Sequence, residues 1–109
     1  MEVHPYVTFD PAERDTIQAA TPALNKLVEG APWVTGQPNL DAATWRLAMV
    51  QIVAGNPINV EQIAALSAAV AIASRRLGDE PARHAEALRQ AAAVVDQAWG
   101  AVLALMPPF

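Results

Sequence analysis

Proline and glycine punctuation constrains this chain most. Pro11, Pro22, Pro38, Pro57, Pro81 and the Pro107-Pro108 pair, with Gly30, Gly55 and Gly78 between them, divide the sequence into short segments. A proline opens a helix well and interrupts one badly, and a glycine closes it well, so each segment has a defined start and stop. The segments are alanine-rich: alanine fills 24 of 109 positions, whereas aromatic residues make up 6%. Alanine is the best helix former, and strands favour β-branched and aromatic residues, so the expected class is all-α. At this length a single domain over residues 1–109 is expected, with one modest core.

Local signals place the helices. Asp10-Pro11-Ala12-Glu13 offers a capping oxygen, a proline for the first helical position and a Glu three residues after the cap. The helix they start meets Thr21-Pro22, where a break is expected with Thr21 as a new cap. A Pro/Gly loop over 30–38 follows, and Asn39 or Asp41 is expected to cap a third helix reaching Ala54. Asn59 and Gln62 repeat the capping pattern for a fourth helix that runs to Leu77, ahead of Gly78. Asp79-Glu80-Pro81 then opens a fifth that reaches Met106, with Gly100 as a possible bend. The reading is a compact bundle of four to five helices, mostly antiparallel, with a short extended N-terminal arm over 1–9.

Composition excludes several classes of function. With no cysteine, disulfide scaffolds, cysteine-ligated zinc sites, thiol catalysis and iron–sulfur clusters fall away. A net charge of −4 speaks against binding to phosphate backbones or anionic membranes. Met1–Pro5 lacks the basic and apolar regions of a signal peptide, and the apolar run Ile63–Ser74 is too short to span a bilayer. A cytoplasmic protein without membrane contact is therefore expected.

The search for chemistry returns little. Glu80 and His84 are four apart on one helix face, but two ligands do not close a metal site. Ser67 and Ser74 have no base nearby in sequence and are expected to bond back to their own helix carbonyls. Walker, nucleophile-elbow and dinucleotide loops are absent from the sequence. Catalytic, cofactor and metal sites are accordingly expected to be none.

Val60-Glu61-Gln62-Ile63-Ala64-Ala65-Leu66-Ser67 resembles the first helix of helix-turn-helix regulators, and Arg75-Arg76-Leu77 the end of their recognition helix. This resemblance implies a degenerate DNA-binding variant, although Ser67–Ala71 reads straight through as helix where such a motif turns.

Surplus apolar helix surface is the more informative feature. From Trp45 to Ala54 only Arg46 and Gln51 are polar, and Ala98–Met106 has no polar side chain. Helices apolar on most sides need cover on most sides, which a chain this small supplies poorly. The leading expectation is a non-enzymatic module for protein–protein contact: an adaptor, assembly factor or small inhibitor that self-associates, with a homodimer the simplest form. The candidate contact residues are Trp33, Arg46, Trp99, Met106 and Phe109. Arg46 lies inside the apolar arc of helix three and calls for solvent or an anionic partner such as Asp96. The alternative is a small-molecule or catalytic pocket between helices three and five, anchored by Arg46 and walled by Trp45 or Trp99.

Overall fold

In the computed structural model, which describes residues 6–29 and 38–105, two of the expected capping boxes form, at Asp10 and at Asn59. Helix α1 (Pro11–Ala19) opens with a complete capping box. Asp10 Oδ1 accepts from the Glu13 N–H at 2.8 Å, and Glu13 Oε1 accepts from the Asp10 N–H at 3.0 Å. Two of the N-terminal donors that a helix leaves open are thereby satisfied or screened.

Helix α2 (Thr21–Leu27) follows at once, but not as expected: Thr21 does not cap it. Ala20 occupies the cap position in helical geometry, φ −84° and ψ −9°, so no extended residue turns a side chain back onto the new helix. The Leu24 N–H reaches the Ala20 carbonyl at 2.9 Å and carries the ladder across the junction. Pro22 lacks only a donor that a first turn would leave open anyway. The break is a kink between two helical pieces, and Thr21 Oγ1 is left buried without a partner.

Helix α3 (Pro38–Val53) begins at the proline itself, so Asn39 and Asp41 lie within it rather than before it. Proline's fixed φ suits the first helical position. At the far end Gly55 has φ +81°, its N–H reaches the Ile52 carbonyl at 3.0 Å, and the Asn56 N–H reaches that of Gln51 at 2.9 Å. This is the paired C-terminal closure that requires a left-handed residue. A Cβ on Gly55 would also stand 2.7 Å from an Arg14 guanidinium nitrogen, the far end of a flexible side chain that would have to shift.

Within the described residues, the N-terminal arm from Tyr6 to Phe9 is docked. Strand β1 (Tyr6–Val7) pairs antiparallel with β2 (Ile58–Asn59), with Val7 opposite Ile58, and Phe9 is buried behind it. Helix α4 (Val60–Arg75) starts from the same Asn59, whose side chain and Gln62 form a second capping box. It ends two residues before Leu77. Helix α5 (Ala82–Leu105) takes its first turn from the Pro81 carbonyl and continues through Gly100 unbroken.

Helix α4 is the axis of the fold, flanked by α3 on one side and α5 on the other, with α1 and α2 closing the bundle. Its alanines are packing residues. Ala69 and Ala73 are fully buried and Ala65 nearly so, which makes a smooth ridge for close approach. Around that ridge Ile17, Leu24, Trp45, Ile52, Ile63, Leu66, Leu88 and Val95 form the core, and none of the described polar side chains is buried with them. The result is an all-α bundle with a short strand pair at one end. Among the described residues no helix is long and apolar enough to cross a membrane.

Candidate functional site

The polar clusters serve the fold. Glu80, at the turn before α5, accepts from Lys26 Nζ at 2.7 Å and lies 2.8 Å from His84 Nδ1, tying the end of α2 to the start of α5. Hydrogen bonds from Lys26 and then from His84 hold its carboxyl below the ordinary value of 4.5. Arg76 reaches back to the Leu27 and Glu29 carbonyls at 2.8 and 3.3 Å, closing the C-terminal end of α2. Ser74 Oγ donates to the Val70 carbonyl of its own helix at 2.8 Å, which leaves it without an activating base. Among the described residues no three His, Asp or Glu side chains converge on a possible metal position.

A groove between β1 and α5 holds about 320 Å³. Tyr6, Phe9, Glu13, Gln97, Ala101 and Leu105 lie along it. This groove was not legible from the sequence, because it depends on the strand pair that brings Tyr6–Phe9 against α5.

The apolar surface is concentrated elsewhere. On α3, Trp45, Ala48, Met49 and Ile52 point into the core. The opposite face is made of Ala43, Arg46, Leu47, Val50, Val53 and Ala54, all exposed. Projected at 100° per residue these six fall on one stripe centred on Val50. Leu47, Val50 and Val53 remain 49%, 64% and 50% exposed. The expectation that α3 is buried on most sides is therefore not met among the described residues, where only α4, α1 and β2 touch it. At the end of α5, Val102 is buried, whereas Leu103 and Leu105 are 49% and 73% exposed.

The sequence-selected residues separate accordingly. Arg46 sits in the exposed α3 stripe, its guanidinium carbon 5.7 Å from the Trp45 ring centroid, and among the described residues it makes no ion pair. Pairing with Asp96 is ruled out because α4 stands between α3 and α5, which do not touch. The same separation removes the expected pocket between helices three and five. Trp99 is half-buried against the core. Trp33, Met106 and Phe109 lie outside the described residues. Leu47, Val50 and Val53 are the contact candidates that the sequence reading missed; their signal was the company of Arg46, since a charge in an apolar arc marks the side that faces water.

Finally, α4 runs from Val60 to Arg75 without interruption, so the turn of a helix-turn-helix is not formed in it. No family model, curated protein or solved structure matches this chain.

Proposed function

We propose that this chain is a non-enzymatic, acidic helical module of the cytoplasm that works by protein–protein contact, as an adaptor, assembly factor or small inhibitor, and that it self-associates. The observation that carries this reading is the α3 stripe, three large aliphatic side chains each about half-exposed or more on one helix face. Scattered exposed apolar residues are ordinary, but a contiguous helical stripe is how an amphipathic contact is built. The chemistry of the polar clusters supports the same reading, since each has a structural use already described. Sedimentation of the full chain from low micromolar to submillimolar concentration tests it. Growth in mass with concentration, abolished by Val50→Asp, is expected. A strict monomer that also retains no protein from native lysate in a Val50-dependent way refutes it.

A second reading rests on the groove between β1 and α5, whose mixed lining of Glu13, Gln97 and apolar side chains suits a small amphipathic ligand. It replaces the Arg46 pocket. A thermal shift on a metabolite panel, lost on Ala101→Trp, would support it, and a flat panel would count against it.

A further inference from the structure

We infer that the occupant of the α3 face is the α3 helix of a second copy, laid antiparallel about a two-fold axis through Val50. This rests on the contact-module reading above and names its partner.

Three observations select that occupant. The first is charge. The chain carries a net −4, yet from Ala42 to Val60 Arg46 is the only charged residue. Two acidic copies approach each other along this helix without bringing carboxylates together, as like charges across an interface would otherwise penalise. The second is symmetry. The stripe is centred on Val50, so rotation about that residue maps it onto itself: Val50 meets Val50, and Leu47 meets Val53 of the second copy. Ridges of aliphatic side chains at this spacing pack well in near-antiparallel pairs.

The third observation concerns Arg46. In this register it faces Ala54 of the second copy, at the C-terminal end of that helix, where the dipole is negative. The Gly55 and Asn56 N–H groups take the Ile52 and Gln51 carbonyls there. The Val53 carbonyl has Pro57 four residues on, which has no N–H to give it. A guanidinium is the donor this end lacks. The exposed cation in the apolar stripe, which within its own chain lies over the Trp45 ring, thus gains a donor role across the contact.

Six residues make a small patch beside the roughly 20–30 a side of a standard interface, so weak association is expected. Helices packed about 8–10 Å apart, with Cα atoms about 2.3 Å off each axis, bring the two Val50 Cα atoms to about 3.5–5.5 Å. That overlaps the roughly 4.4–6.8 Å a disulfide spans.

Because the chain has no cysteine, single substitutions report on this geometry without background. Mild oxidation of Val50→Cys at dimer-forming concentration is expected to give a covalent dimer. Leu47→Cys mixed with Val53→Cys is expected to cross-link several-fold more than either alone, and Arg46→Glu to weaken association about tenfold. The substituted residues are exposed, and circular dichroism with urea melting checks that each variant folds. A sedimenting dimer whose Val50→Cys variant does not cross-link overturns the α3 pairing and leaves the contact-module reading standing. Leu47→Cys and Val53→Cys each cross-linking to itself as well as in the mixture overturns the antiparallel register. A monomer that instead holds a different protein in a Val50-dependent way also overturns the self-pairing, while the broader reading survives.

Discussion

Replacing Val50 by Asp separates contact from stability, and the structure sets the size of both effects. Val50 is 64% exposed in the isolated chain, so its change removes little from the core. Surface substitutions of this kind stay within about 0.5 kcal/mol. A carboxylate near a helix C-terminus adds roughly 0.3–1 kcal/mol of unfavourable dipole interaction. The urea-unfolding free energy of the monomer should therefore fall by no more than about 1.5 kcal/mol. Association responds differently. Fully burying a valine is worth about 1.5–3 kcal/mol, and 64% of that, once per copy, gives about 2–4 kcal/mol for a symmetric contact. The dissociation constant should rise roughly thirty- to thousandfold, measured by sedimentation equilibrium beside the unfolding curve. Leu103→Asp, at the exposed end of α5, should leave that constant unchanged. An association constant untouched by Val50→Asp, or a loss matched by equal unfolding, refutes the reasoning.

Other changes probe the frame that presents this face. Gly55→Ala should cost about 1–2 kcal/mol for the left-handed backbone alone, and more because Arg14 must move, read as a lower urea midpoint at unchanged slope. Ala69→Leu, on the buried ridge of α4, should destabilise by about 1–3 kcal/mol through overpacking; a neutral result would mean the helices do not approach closely there. The folded-state pKa of Glu80 is lowered, so its contribution to stability is present above the ordinary value of 4.5 and is lost as pH falls through the folded value. The melting temperature of the wild type should consequently drop more steeply over that acid interval than that of Glu80→Gln, and parallel curves would remove Glu80 from the account.

What the sequence disclosed was what depends on neighbours along the chain. Asp10 with Glu13, Asn59 with Gln62 and Gly55 at its turn are short-range devices, each complete within a few residues, and each forms as expected. Non-local features were not legible. The pairing of Val7 with Ile58 joins segments far apart in sequence, and two residues on each side are too short a run to announce a strand. Thr21 failed as a cap because Ala20 stays helical, a matter of backbone geometry that residue type does not reveal.

The α3 face was hidden for a different reason, which bears on its use. Both sides of the helix are apolar, so periodicity cannot tell Trp45, Ala48 and Ile52, which face the core, from Leu47, Val50 and Val53, which face away. A helix that only needed to fold would carry polar residues on the outward side, where they cost no core packing. Here the outward side carries aliphatic side chains and one arginine, while carboxylates are kept off the helix from Ala42 onward. Folding of the single chain demands neither choice. A contact that excludes water and tolerates no like charge demands both, and that is why the ambiguity that defeated the periodicity argument is itself the strongest indication of a partner.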